Sequence, residues 1–211
     1  MAATSFQKRY LVTGLVLGIG LIVLVPLVKL FQGAVTPPTV QGLKVRGPMN
    51  APVWIQEFSD FQCPACGNAA KVVEEIFKRY PGKIRQYFYH FPLAMHKWAT
   101  LAHRGAECAA EQDKFWPYHD LLFQRQKVWS SLQDPKQAFH QYAREMGLDE
   151  KRFTACLDQG QTQDVVLKDI EKGKSLQVRS TPTFFVNGKQ VIGGKLFAQE
   201  IEKVIKEELG K

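Results

Sequence analysis

The residues best equipped for chemistry are Cys63 and Cys66, which flank Pro64-Ala65 in a Cys-x-x-Cys arrangement. A thiolate is the nucleophilic form of cysteine. Two thiols about one helical turn apart can divide the work of thiol–disulfide exchange, one attacking and the other resolving the mixed disulfide that forms. Two other readings use the same spacing. Half of a zinc site would need two further ligands at usable spacing; Cys108 and Cys156 lie far apart, and His90, His96 and His103 form no clear ligand pattern. A short-loop structural disulfide is the second. The flanking elements favour exchange.

Pro52-Val53-Trp54-Ile55-Gln56-Glu57-Phe58 has the aromatic and β-branched content of a buried strand. After the cysteines, Ala69, Val72, Val73, Ile76, Phe77 and Tyr80 recur at helical spacing, and Pro81-Gly82 stops the helix. Cys63 is therefore expected at a helix N-terminus, where free N–H groups and the helix dipole favour an anion. Pro64 suits the first turn, where its missing N–H costs nothing. Cys63 is expected to face solvent and attack, and Cys66 to be shielded and resolve. Glu57, inside the strand, is a candidate proton carrier for Cys66, because burial would raise its pKa. Its plain alternative is a strand-end glutamate that reaches solvent. Asp60 reads as a surface or capping residue, and His96 and His103 as capping or core histidines. Pro182 is a candidate cis-proline, since X–Pro bonds cost little in cis; a trans proline at a strand start is the alternative.

The 211-residue chain is 45% hydrophobic and 23% charged, which suffices for one domain with a real core. Its net charge of +8 is spread over short Lys/Arg sites without a basic block interleaved with aromatics, so a nucleic-acid surface is not expected. Residues 1–9 are polar and end in Lys8-Arg9. The uncharged apolar run from Tyr10 to Val28 is long enough to span a bilayer, and a transmembrane anchor (or uncleaved signal) is expected over 10–31. Lys8 and Arg9 would stay cytoplasmic and place the remainder outside. Gly33-Ala34 is a weak cleavage signal, so cleavage stays open. Residues 32–50, with Gly33, Pro37, Pro38, Gly42, Gly47 and Pro48, read as a linker, within which Leu43-Lys44-Val45 could form an edge strand.

Lys83 to His90 reads as a second central strand, giving a right-handed parallel strand–helix–strand unit. From about His96 to Gln177 the pattern is helical, with breaks near Asp113, Asp134, Gly147 and Gly160. The aromatic group Phe115, Trp116, Tyr118 and Phe123 reads as helical core rather than a cofactor box. Thr183 to Val186 and Lys189 to Ile192 read as a hairpin around Asn187-Gly188. A last amphipathic helix buries Phe197, Ile201, Val204, Ile205 and Leu209.

Three local matches, in this order, make the chain resemble the membrane-anchored DsbA-like branch of the thioredoxin-fold thiol:disulfide oxidoreductases. They are Phe58-Ser59-Asp60-Phe61-Gln62-Cys63-Pro64-Ala65-Cys66, the helical stretch Cys108 to Trp116 with Tyr118-His119-Asp120, and Ser180-Thr181-Pro182-Thr183-Phe184-Phe185-Val186-Asn187-Gly188. The resemblance covers about residues 40–209. It implies an α/β thioredoxin fold over 51–95 and 178–211 with an all-helical insertion over 96–177, after the N-terminal transmembrane helix. It also implies catalysis by Cys63 and Cys66 as a redox-active disulfide, assisted by Glu57, an acidic residue at the family's offset. Thr181, Pro182, Pro64 and Ala65 are the implied substrate-binding residues. The Pro-Ala dipeptide differs from the Pro-His of the strongest oxidases, which bears on the redox potential.

Cys108 and Cys156 are expected to pair as a structural disulfide between helices of the insertion; its loop of about 50 residues would be worth roughly 4 kcal/mol. A second redox pair that relays electrons is the sharper alternative. No metal and no cofactor is expected. The implied activity is oxidation of dithiols in exported proteins by a monomer in the cytoplasmic membrane with its catalytic domain extracytoplasmic. Reoxidation would come from an integral-membrane, quinone-linked partner. Two alternatives stand beside it: a reductase or isomerase using the same cysteines, and a membrane-anchored metal-binding or assembly module with Cys63 and Cys66 as ligands. The linker is too short for the dimerisation domain that the dimeric isomerases carry.

Overall fold

The computed structural model describes residues 44–211. The anchor expected over 10–31, the cytoplasmic segment 1–9 and most of the linker lie outside the described residues. Among the described residues, no helix is long and apolar enough to cross a membrane.

The chain runs through β1 (Val45–Arg46), β2 (Val53–Ser59), α1 (Pro64–Arg79) and β3 (Ile84–His90). Six helices follow: α2 (Ala99–Ala110), α3 (Phe115–Gln124), α4 (Gln126–Trp129), α5 (Lys136–Glu145), α6 (Glu150–Gln159) and α7 (Gln163–Ser175). The hairpin β4 (Thr183–Val186) and β5 (Lys189–Ile192) and the helix α8 (Phe197–Leu209) complete it. The strands form one sheet in the order β1-β3-β2-β4-β5. Only β2 and β3 are parallel, joined through α1, while β1, β4 and β5 run antiparallel to their neighbours. This is a thioredoxin-like α/β fold with a helical insertion. The edge strand lies at Val45–Arg46, slightly beyond the Leu43-Lys44-Val45 read from sequence.

All seven residues of β2 are buried, as expected of a central strand covered on both faces. Side chains alternate along it, so Val53 and Ile55 face one layer and Trp54 and Phe58 the other. The first layer is α1 and α8, where Ala69, Val73 and Ile76 meet Phe197, Ile201 and Ile205. The second joins Tyr87, Tyr89, Phe91 and Val178, with Ile170 of α7 packed against it. The helical insertion has a core of its own around Tyr118, Leu122, Trp129, Phe139 and Phe153, and Phe61 and Phe88 extend it to the sheet. Cys108 on α2 and Cys156 on α6 are disulfide-bonded across that core.

The β4–β5 turn uses Asn187 and Gly188 at φ 46° and 84°, the left-handed pair a tight hairpin requires. Asn187 also accepts from the Trp54 N–H at 2.8 Å and donates to the Pro52 carbonyl at 3.1 Å, which holds the hairpin against β2.

Candidate active site

β2 ends at Ser59, and Asp60 to Gln62 link this central strand to Cys63, the N-cap of α1. Pro64 fills the first helical position, and the Cys66 and Gly67 N–H groups donate to the Cys63 carbonyl at 3.0 and 3.2 Å. Both thiols are free. Cys66 is fully buried, and Cys63 is only 8% exposed. Cys63 is thus less open than its sequence position suggests, because the Thr181 carbonyl lies over its sulfur and accepts from the thiol at 3.6 Å. Pro64 and Ala65 are exposed beside it.

The two thiols have opposite electrostatics. Cys63 is pulled down to about 5, first by hydrogen bonding from the Cys66 side chain. Burial opposes that shift, while the Cys66 N–H, the Thr181 side chain and the Ala65 N–H assist it. Cys66 is pushed well above the ordinary thiol value, first by burial and then by the neighbouring Cys63 sulfur. The pair is therefore divided into a thiolate that keeps some exposure and a protonated, fully buried thiol, the arrangement that exchange chemistry needs. Glu57 is 1% exposed, and burial raises its pKa above the usual carboxylate range. His119, Ser59, Arg46 and Gln86 each counter that rise, and the Gln86 amide donates to Glu57 Oε2.

The Thr181–Pro182 bond is cis, and Thr181 is 9% exposed. The Gly193 N–H donates to the Pro182 carbonyl at 2.8 Å. A Cβ at Gly193 would stand 2.3 Å from Pro182 Cγ, a contact no rigid ring can absorb. Gly193→Ala is therefore expected to push the Pro182 loop off Cys63 and to slow thiol–disulfide exchange at Cys63 roughly tenfold or more, since misplacement by about 1 Å can cost about 10²-fold. Stopped-flow exchange with a model peptide checks this, with Gly194→Ala as the control because nothing lies within 4 Å of its Cβ position.

Of the two sequence readings of Asp60, surface or capping residue, the structure rules out the surface one. Asp60 is fully buried; its N–H donates to Cys66 Sγ at 3.4 Å. Its carboxylate accepts from the Gln62 N–H at 2.7 Å, the Leu93 N–H at 2.8 Å and His96 Nδ1 at 2.7 Å. His103 lies in the core, where its Nε2 accepts from the Phe61 N–H at 3.4 Å. That fixes the tautomer: His103 Nδ1–H faces His90 Nδ1 at 2.5 Å, and His90 Nε2–H donates to Glu107 at 2.6 Å. Burial holds both imidazoles well below their ordinary pKa, neutral as this chain of bonds requires. His90, Glu107 and Asp169 form a grouping of metal-ligand type among the described residues. Lys44 Nζ already sits in it, 2.7 Å from Glu107 and 2.6 Å from Asp169.

Sequence reasoning missed Gln126. From α4 its amide donates to the carbonyls of Phe61 and Cys63 at 2.7 and 2.8 Å, tying the helical insertion to the active-site loop. A glutamine inside a helical run gives no signal of such a contact. It also passed over Ser59, which is fully buried between Glu57 and the loop.

The thioredoxin family profile matches residues 39–207. Among curated proteins, the Na(+)/H(+) antiporter NhaA 3 of Salinispora tropica is 37% identical over 147 residues, 69% of this chain and 22% of that protein. The chain thus spans about a fifth of the length of the curated relatives it matches. Among solved structures, oxidised BdbD from Bacillus subtilis superposes with a TM-score of 0.72 at 27% identity, over 82% of this chain and 96% of that one. The alpha-DsbA1 of Wolbachia pipientis, with a TM-score of 0.70 at 22% identity over 82% and 93% of the two chains, shares the fold.

Proposed function

We propose that this chain, which belongs to the thioredoxin family, is a thiol:disulfide oxidoreductase that works as an oxidase, introducing disulfides into exported proteins through Cys63 and Cys66. One observation carries the direction. A Cys63 pKa near 5 stabilises the dithiol form relative to that of a pair with an ordinary thiol, which makes the disulfide a stronger oxidant. A substrate thiolate attacks Cys63 in the Cys63–Cys66 disulfide and forms a mixed disulfide, releasing the Cys66 thiolate. The second substrate thiol then attacks the substrate sulfur, its disulfide forms, and Cys63 leaves as a stabilised thiolate. Glu57 exchanges the proton with Cys66. Thr181 and Pro182, with the exposed Pro64 and Ala65, form the rim on which an extended substrate would lie.

The apolar run over Tyr10 to Val28 supports a location in the cytoplasmic membrane with the catalytic domain outside, where reoxidation falls to a quinone-linked membrane partner. The deciding measurement is the reduction potential of the Cys63–Cys66 couple, titrated against glutathione with Cys108 and Cys156 replaced by Ala. An oxidase requires about −120 to −180 mV. A value near about −270 mV would make the protein a reductase instead.

A further inference from the structure

We propose that the Ser59 hydroxyl is the link through which a proton passes between the buried Glu57 carboxyl group and the Cys66 thiol. This rests on the exchange reading above and adds a residue to it.

Glu57 and Ser59 are two apart on β2, so they continue the row of Val53 and Ile55 on the sheet face under α1. On α1 the buried stripe of Ile76, Val73 and Ala69 leads up to Cys66. The strand row and the helix stripe thus converge with a carboxyl group, a hydroxyl and a thiol where apolar packing stops. Ser59 and Cys66 are fully buried, and Glu57 nearly so, which keeps bulk water from acting as the base. Glu57 Oε2 is taken by Gln86, whereas Glu57 Oε1 and Ser59 Oγ are both buried with no hydrogen-bond partner. Unpaired buried polar atoms are rare enough in proteins to call for a reason, and here two adjoin.

The Ser59 hydroxyl stands close enough to both Glu57 and Cys66 to offset part of what burial does to each. The polar groups that act on the Cys66 sulfur include Cys63, the Asp60 N–H and Ser59. The N–H donates but cannot take a proton, and in a mixed disulfide Cys63 is no longer free to take one. A hydroxyl does both, accepting from one side while donating to the other. The other groups facing Glu57 are Gln86 of β3, Arg46 of β1 and His119 of α3.

In a mixed disulfide on Cys63, the Cys66 S–H proton passes to Ser59 Oγ as the Ser59 hydroxyl proton passes to Glu57 Oε1. The Cys66 thiolate attacks Cys63 Sγ, the Cys63–Cys66 bond forms, and the partner sulfur leaves as a thiolate with the electron pair of the broken bond. When a substrate thiolate opens the Cys63–Cys66 disulfide, the proton returns to Cys66 along the same path.

The test follows resolution of the mixed disulfide that Cys63 forms with oxidised glutathione, in the purified full-length protein, by quenched-flow mass spectrometry from pH 5 to 9. Ser59→Ala should slow resolution about 10- to 100-fold at pH 7, within the range a positioned proton-transfer group contributes, with the gap closing toward pH 9. Ser59→Thr should keep the rate and the near-isosteric Ser59→Val should lose it, a contrast that stands even if the alanine variant folds poorly. Glu57→Gln/Ser59→Ala should be no slower than the slower single variant, because groups acting in series are not additive. Equal rates for Ser59→Thr and Ser59→Val, or multiplying losses in the double variant, would overturn the link while leaving the exchange function standing. A parent protein that forms no mixed disulfide at Cys63 would instead sink the exchange reading, and this link with it.

Discussion

Cys66→Ser is expected to turn the protein into a trap that accumulates mixed disulfides on Cys63, while Cys63→Ser drops exchange by at least roughly 10³-fold, as loss of a nucleophile does. The asymmetry follows from position. Cys63 caps α1, keeps 8% of its surface, and is drawn to a pKa of about 5 by Cys66 and the surrounding donors. Cys66, one turn further in, is fully buried and held protonated by that burial. An incoming disulfide meets a thiolate at Cys63 and only a shielded thiol at Cys66. Without Cys66 nothing inside the protein resolves the adduct, so it persists until an external thiol arrives. Non-reducing gels and mass spectrometry of the two variants, expressed with their natural partners, read this directly. Adducts on Cys66 in the Cys63→Ser protein would reverse the assignment.

The second expectation concerns the stability of the dithiol form against pH. Cys63 titrates near 5 when folded, whereas an unperturbed thiol titrates near 8.5. A depressed pKa stabilises the fold above the unfolded value, and that stabilisation is lost as pH falls through the folded one. At pH 7 it amounts to about 2 to 3 kcal/mol, confined to the dithiol form, because a disulfide does not titrate. The gap between dithiol and disulfide forms in urea unfolding should therefore widen by about 2 kcal/mol from pH 5 to pH 7, and beyond about pH 8.5 it should fall again, because the Cys63 contribution is then constant while the raised Cys66 thiol costs stability. Through the two-electron linkage, the stabilisation at pH 7 makes the couple about 60 mV more oxidising than one with an unperturbed thiol. The raised pKa of Cys66 does not blunt the rise, since both of its values lie above that window. A gap that stays flat from pH 5 to 8 would mean an ordinary thiol at Cys63 and remove the physical ground for an oxidase.

Much of this protein was legible before folding because its signals are local. The strand, turn and helix around Cys63 are written in consecutive residues: β-branched and aromatic side chains from Val53, a proline at the first helical position, and apolar side chains at helical spacing from Ala69 to Ile76. The same holds for the Asn187-Gly188 hairpin and for the helix breaks near Asp113, Asp134, Gly147 and Gly160. What carries the site's electrostatics is not local. Asp60 reads as a surface residue until Leu93 and His96, more than thirty positions on, close over its carboxylate. Gln126 reaches the Cys63 carbonyl from a separate helical layer, and Thr181 covers the Cys63 sulfur from beyond the insertion. Ser59 gains a role only where a strand row and a helix stripe meet. Sequence by itself determined the residue types, their periodicity and the order of elements, because each depends on neighbours within a turn or a strand. Tertiary structure alone decided which polar groups lost water and which partners replaced it, because desolvation and pairing are set by side chains that arrive from distant parts of the chain.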